Sequence, residues 1–473
     1  MVDLTPEAFR TLGYQVVDLL ANQMATLPDG PCRRPVPDEV RDALLEQPLP
    51  LEPQASTDIL ERFTQLVLPY PMGNAHQRCF AGVNSPPAPL AVLADLLASG
   101  MNPSVAGGDH AATYVEHAVL RWLTQLLKYP IDSGGLFTSG GSVANLIGLA
   151  IMRHVKATTN TRANGLWAEA TPLVVYTSAQ GHSCIEKAVE LLGIGHTYLR
   201  KIPVDAEYCM DVEKLRTHIH ADRTQGLRPV CVAASAGTVN TGAIDPLNAI
   251  ADICAAEDLW FHVDGAYGGV GILAEQTTDL FNGMERADSL AIDPHKWMYV
   301  PIECGCVFVR DAQAMRDTFS LIPPYLRDDT QMPWFAEFGI QQTRSFRALK
   351  VWMLLQQLGE QGYRELISRD ITLAHYLQER IRTTPNFELI ATGPLSIICF
   401  RYAPLGCNDL DTLNRRLLER VQQEGHTFFT STELDGKLVL RVCIVNFRTT
   451  EADLDFLLEY LAKVGLHIRK EVL

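Results

Sequence analysis

The chain lacks any uninterrupted apolar run approaching the ~18 residues that a membrane span needs, and it has no internal repeat and no low-complexity tract. A membrane-spanning protein is not expected. Positive charge is also scarce: 40 Lys and Arg stand against 55 Asp and Glu, a formal net charge of −15 with a pI near 5.3. That balance argues against a nucleic-acid or anionic-membrane surface, while a local basic pocket for a phosphate stays open. Eleven cysteines are scattered without a single C-x-x-C spacing, Cys304 and Cys306 being the one near pair. Neither a metal knuckle nor a redox motif is written here, and reduced thiols of a cytoplasmic protein are expected. The opening Met1-Val2-Asp3-Leu4-Thr5-Pro6-Glu7 has no basic n-region and no apolar h-region, so secretion is not expected either.

What is present is length and apolar content. At 473 residues with 47% hydrophobic residues, the chain exceeds one compact core. Thr5, Pro6 and Glu7 form a helix start, and Phe9, Leu12, Val16, Leu19, Leu20 and Met24 recur at helical spacing until Pro28-Asp29-Gly30. A proline-rich wrapping segment follows, with packing on a partner subunit and packing on its own core both open. From about residue 80 to 310, strand-like runs (173–177, 230–235, 259–264, 304–310) alternate with helical periodicity. This predicts an α/β architecture with a mostly parallel sheet covered by helices. Beyond a helical stretch at 345–383, alternating runs at 387–390, 395–401 and 438–444 interleave with helices at 410–424 and 451–464, which predicts a smaller α/β domain. The expected division is an N-terminal helical arm over 1–75, a large domain over 76–365 and a small C-terminal domain over 366–473.

Two of these strand ends carry chemistry. Ser289-Leu290-Ala291-Ile292-Asp293-Pro294-His295-Lys296-Trp297 is an apolar run that stops at proline and delivers a lysine. Leu259-Trp260-Phe261-His262-Val263-Asp264 delivers an aspartate and breaks into Gly265-Ala266-Tyr267-Gly268-Gly269. Pyridoxal phosphate (PLP) needs this pair, an amine to hold its aldehyde and a carboxylate to keep its ring nitrogen protonated. Ligands of parallel sheets sit at the carboxyl ends of strands, where His182, Thr238 and Asp264 all fall. Leu136-Phe137-Thr138-Ser139-Gly140-Gly141-Ser142 runs into an apolar helix, a glycine loop whose backbone could approach a phosphate at a helix start. Taken singly, such a loop is a commonplace capped turn and His182 a satisfied loop histidine; with the lysine and aspartate beside them they read as a cofactor site. His295 is open between a structural hydrogen bond and a contact to cofactor or substrate. His218-x-His220 lacks a third ligand at zinc spacing and belongs to a solvated helix face.

From about Thr5 to beyond Arg441 the chain resembles the group II PLP-dependent amino-acid decarboxylases, the family of aromatic-L-amino-acid, histidine, tyrosine and animal glutamate decarboxylases, as a bacterial-type member. The markers are Asp293-Pro294-His295-Lys296-Trp297, His262-Val263-Asp264-Gly265-Ala266-Tyr267, Gly237-Thr238, Gly181-His182-Ser183 and Ser345-Phe346-Arg347-Ala348-Leu349-Lys350. The resemblance implies PLP-dependent transferase fold type I with a seven-stranded sheet. It makes Lys296 the Schiff-base lysine, Asp264 the partner of the ring nitrogen and His182 the ring-stacking residue. It places Thr238 at the opposite edge of the cofactor, with Ala266 and His295 among its contacts. Gly140, Gly141 and Ser142 match the phosphate loop, with glycine where serine or alanine is usual. Ser85 matches a threonine near the substrate carboxylate, and Val83 and His110 fall in substrate-pocket segments.

Two departures accompany the match. Asp293 occupies a position that is asparagine in several relatives, where a carboxylate would repel a phosphate dianion unless turned away or bonded to backbone N–H groups. Gly82 and Val83 replace bulkier pocket residues, which leaves aspartate, glutamate or 2,4-diaminobutyrate open beside an aromatic L-amino acid. The family assigns reprotonation of the substrate Cα to a loop tyrosine, matched by Tyr325 in Ile322-Pro323-Pro324-Tyr325-Leu326, whose presence favours the amine over the aldehyde-forming branch. Arg344 matches an arginine near the subunit interface, with a surface salt bridge as its alternative. Relatives are homodimers with active sites at the subunit interface, and the N-terminal helix is the expected interface arm. A fold-type-I aminotransferase and a non-catalytic paralogue are the rival readings; intact Lys296, Asp264, His182 and Tyr325 weigh against the second.

Overall fold

The computed structural model describes residues 3–321 and 334–472. By compactness the chain forms two units, one of Met1–Gly82, Tyr376–Ile390 and Phe400–Leu473, the other of Val83–His375 and Ala391–Cys399. The larger unit is built on seven strands: β1 (Gly134–Thr138), β2 (Leu173–Ser178), β3 (Leu199–Ile202), β4 (Arg228–Ser235), β5 (Trp260–Asp264), β6 (Ser289–Ile292) and β7 (Gly305–Val309). Their order is β1-β7-β6-β5-β4-β2-β3. The pairs from β3 through β6 are parallel, and β7 runs antiparallel to both of its neighbours. Helices cover the sheet, so the strands are buried on both faces and read as continuous apolar runs rather than alternating ones.

The register of the central strands places the functional ends together. Ser235 pairs with Asp264, and Asp264 pairs with Ala291, so β4, β5 and β6 finish side by side. Two of the seven strands escape the sequence pattern for physical reasons. β1 opens on two glycines, and β3 is a four-residue edge strand with Arg200 and Lys201 at its centre, which charge alone would assign to a loop.

The second sheet has the order β10-β11-β9-β8, from β8 (Phe387–Thr392), β9 (Ile397–Tyr402), β10 (Thr430–Leu434) and β11 (Lys437–Cys443). Asp435 and Gly436 join β10 to β11 with φ of 50° and 72°, the left-handed pair that a two-residue hairpin requires. The helix Pro6–Thr26 begins where expected, with Thr5 Oγ1 accepting from the Ala8 amide at 3.2 Å. Neither it nor the helices Asp38–Leu45 and Ser56–Leu66 buries a residue, and Phe9, Tyr14, Val16 and Met24 stand in solvent. No described helix is long and apolar enough to cross a membrane.

Arg344 is neither a surface salt bridge nor exposed. It is fully buried, pairs with the equally buried Glu116, and donates to the carbonyls of Val105 at 2.7 Å and Phe137 at 2.8 Å. These three partners tie the base of β1 to the segment that enters the helix Ala348–Thr383, and a charge so placed is retained only because it is paired.

The segment after β6 is anchored by a buried carboxylate. Trp297 Nε1 and the Tyr299 hydroxyl both donate to Asp370 Oδ2, at 2.9 and 2.7 Å. Burial raises the Asp370 carboxyl to about 7, against the opposing effect of those donors. An unfolded aspartate titrates near ~3.9, so the folded chain holds this proton more tightly. The corresponding stability is present below about pH 4 and is lost as pH rises through about 7. Asp370→Asn keeps an acceptor for both donors without the charge. Between about pH 5 and pH 8 the urea midpoint of the wild type is expected to fall more than that of Asp370→Asn; parallel pH dependences would count against this account.

Candidate active site

A cavity of about 510 Å³ opens at the carboxyl ends of β4, β5 and β6, within the larger unit. Val83, Gly140, Gly141, Ser142, His182, Thr238, Asp264, Ala266, His295 and Lys296 all line it. Ser85 and His110 are not among its lining residues. Ser85 is buried nearby, its hydroxyl donating to the His295 carbonyl at 3.3 Å. His110 caps the helix Ala111–Leu126, its Nε2 3.2 Å from the Thr113 hydroxyl. Tyr325 lies outside the described residues. The lining also includes Asn145, Cys184, Tyr267, Ile302 and Glu303, which sequence reasoning did not single out.

Local folding aims each group. After β5 the backbone turns so that the Ala266 amide donates to Asp264 Oδ1 at 3.1 Å, while the Ala266 carbonyl accepts from the Asp293 amide at 3.2 Å. The end of β5 is thereby bonded to the residue that follows β6. A second tie lies beneath it, where the rings of Tyr267 and Trp297 stack with centroids 5.3 Å apart and 22° between planes. The Tyr267 hydroxyl meets Ser396 Oγ at 2.6 Å. His182 is the N-cap of the helix Ser183–Leu191, its Nδ1 accepting from the Cys184 amide at 3.2 Å, which fixes the ring.

The loop at Gly140 opens the helix Gly141–Lys156, whose first turn carries no acidic residue. Helix starts leave N–H groups unspent and a positive dipole end, both suited to an anion. β7 passes so close beneath the loop that a Cβ on Gly305 would stand 2.4 Å from the Gly140 Cα, so glycine at 305 is a requirement of close approach. Gly141 is equally constrained: a Cβ there would meet Asp293 Oδ2 at 2.8 Å.

Lys296 Nζ lies 2.9 Å from Asp293 Oδ2. Burial works against the ammonium, but the charges of Asp293 and Asp264 outweigh it, and the lysine pKa ends above its ordinary value. Asp293 is thus turned toward the lysine, and its Oδ1 is buried without a hydrogen-bond partner among the described residues. Burial lowers His295, whose Nδ1 sits 2.8 Å from the Cys304 carbonyl. His295 thus makes a structural bond and also lines the cavity. An amine, a carboxylate, an imidazole held by a helix cap and a glycine loop at a helix start therefore face one space, and this donor set fits the amine-anchored, phosphate-bearing pyridine of PLP.

Four likenesses to known proteins accompany this geometry. The family model of the pyridoxal-dependent decarboxylase conserved domain matches residues 37–403. An aromatic-L-amino-acid decarboxylase of Bacillus atrophaeus is 35% identical over 462 residues, covering 96% of this chain and 94% of the relative. Tyrosine decarboxylase 4 of Petroselinum crispum is 30% identical over 468 residues, covering 94% and 90%. Among solved structures, Oryza sativa TDC with PLP and tryptamine is similar with a TM-score of 0.92 at 28% identity, covering 99% of each chain.

The packing at Gly141 is open to test. Gly141→Ala would press a methyl group onto Asp293 Oδ2 and the Ala266 Cβ, at 2.8 and 3.0 Å. Overpacking of this kind costs about 1–3 kcal/mol, read as a lower denaturation midpoint; an unchanged midpoint would mean that the loop has room.

Proposed function

The chain belongs to the pyridoxal-dependent decarboxylase family, a PLP-dependent carboxy-lyase of α/β fold type I, and from that premise we propose that it converts an aromatic L-amino acid to its amine and carbon dioxide. The observation that carries the reading is the convergence of Lys296, Asp264, His182 and the Gly140 to Ser142 loop on one cavity at the strand ends. When bound, PLP supplies the electron sink that lets the bond between Cα and the carboxylate break. Lys296 provides the amine that anchors it. Asp264, whose Oδ1 is held by the Ala266 amide, would keep the ring nitrogen protonated. His182, Thr238 and Ala266 would hold the ring, and the loop at Gly140, Gly141 and Ser142 would hold the phosphate. The Asp293 carboxylate, turned to Lys296, stays off the phosphate. Val83, Ser85 and His110 belong to the substrate side, and Tyr325 returns a proton to the substrate Cα.

The aromatic substrate class is supported by the names of the relatives and by tryptamine in the rice structure. We further propose a cytoplasmic homodimer with the active site at the subunit interface. The exposed apolar side chains of the three N-terminal helices support it, since a second copy would cover them.

Product analysis tests the chemistry. Carbon dioxide release is expected from tyrosine, tryptophan, DOPA or 5-hydroxytryptophan and not from aspartate, glutamate or 2,4-diaminobutyrate; release confined to the second group would overturn the substrate class, and amino transfer without carbon dioxide would overturn the reaction. In the same assay under air, Tyr325→Phe should lose amine and, with dioxygen as the two-electron oxidant and water as the source of the carbonyl oxygen, gain aldehyde, ammonia and hydrogen peroxide; an unchanged product ratio would remove Tyr325 from the mechanism. Gel filtration of a chain lacking residues 1–30 addresses assembly: loss of the dimer is expected, whereas a stable, active dimer would show that the arm does not hold the interface.

A further inference from the structure

Behind Asp264 runs a buried chain of hydrogen bonds that no part of the reading above uses. Trp260 Nε1 donates to Ser289 Oγ at 2.8 Å, and Ser289 Oγ lies 2.7 Å from His262 Nδ1. His262 Nε2 lies 2.6 Å from Asn145 Oδ1, Asn145 Nδ2 donates to Cys184 Sγ at 3.3 Å, and Cys184 Sγ reaches Asp264 Oδ2 at 4.0 Å. Ser289, His262 and Asn145 have no solvent exposure at all, so each must find its partners inside the protein.

The chemistry of its members gives the chain a direction. An indole N–H only donates, so Ser289 accepts from Trp260 and its own hydrogen is left for His262 Nδ1. Burial lowers His262 to about 4, so near neutral pH the ring is uncharged and carries one hydrogen, which must then sit on Nε2. That hydrogen goes to Asn145 Oδ1, which turns the amide nitrogen toward Cys184. Sulfur thus receives an N–H and has its own hydrogen to give. Burial, reinforced by the Asp264 charge, raises the Cys184 thiol to about 12, so it keeps that hydrogen, and Asp264 Oδ2 is the acceptor within reach. The reverse direction fails: Ser289 would accept from both Trp260 and His262 with its own hydrogen unspent, and the thiol would donate to Asn145, leaving Asp264 Oδ2 without this donor.

We infer that Cys184 is a positioning residue for Asp264, its thiol hydrogen aimed at Oδ2 by the relay Trp260, Ser289, His262 and Asn145. With the Ala266 amide on Oδ1, the carboxylate then has a donor at each oxygen, the thiol a weak one at 4.0 Å, and its rotation is restricted. The inference rests on the proposed role of Asp264 as partner of that nitrogen.

Two measurements test it, neither of them an activity. The first is the dissociation constant of PLP, read from fluorescence of the apoprotein titrated with PLP. Cys184→Ala is expected to weaken binding about tenfold and Cys184→Ser, which keeps a donor, to stay within about twofold of wild type; equal losses in both variants would mean packing and would overturn the inference. Asp264→Asn separates the two levels: if it binds PLP as wild type does, the role of Asp264 falls, whereas a weakened Asp264→Asn beside a wild-type Cys184→Ala overturns the relay alone. The second is the infrared S–H stretch of Cys184 in the apoprotein, isolated as wild type minus Cys184→Ala. Donation to a carboxylate lowers its frequency, so Asp264→Ala and Asn145→Ala should each raise it, and a band unmoved by either refutes the aimed thiol.

Discussion

Parallel pairing of β5 between β4 and β6 is the constraint on which the rest of the site depends. The register sets Ser235, Asp264 and Ala291 abreast, so the chain leaves three neighbouring strands at the same level of the sheet. A slip of one residue would turn Asp264 into the opposite face of the sheet, because side chains alternate along a strand. Several bonds then lock the two exits together. The Asp293 amide bonds to Ala266, Tyr267 stacks on Trp297, and Asp370 holds Trp297 and Tyr299 from below. The placement of the lysine and the aspartate rests on this register and these ties.

The aspartate at 293 and the glycine at 141 form one arrangement. An aspartate at 293 brings a carboxylate beneath the anion loop, and the adjoining position of the loop is the glycine whose missing Cβ leaves space for that oxygen. The negative charge is answered by Lys296 three residues on. A bulkier residue at 141 and a carboxylate at 293 would compete for the same few cubic ångströms, which makes the two positions one structural choice.

Much of this was legible in the sequence because the relevant signals are local. Apolar runs located β2, β4, β5 and β6 to within a residue or two, and proline and glycine after β6 and β5 marked where Lys296 and Asp264 emerge. β10 was less visible because four of its five residues are polar, although the Asp435-Gly436 pair is a hairpin signal. The surface alternative for Arg344 fails, and nothing local shows it, because its partner Glu116 lies 228 residues away in sequence. Cys184 and Asn145 were passed over for the same reason. A buried asparagine in an apolar helix is the one hint, and its partners lie 39 and 117 residues along the chain.

The three N-terminal helices carry a consequence of a different kind. None buries a side chain within its own chain, and helices of 8 and 11 residues are marginal alone in water. In the proposed homodimer a second copy would cover them, and by mass action their order would follow the protomer concentration. Dilution of that dimer would release this part of the molecule first, so the working state of the proposed assembly would be a property of the solution as well as of the fold.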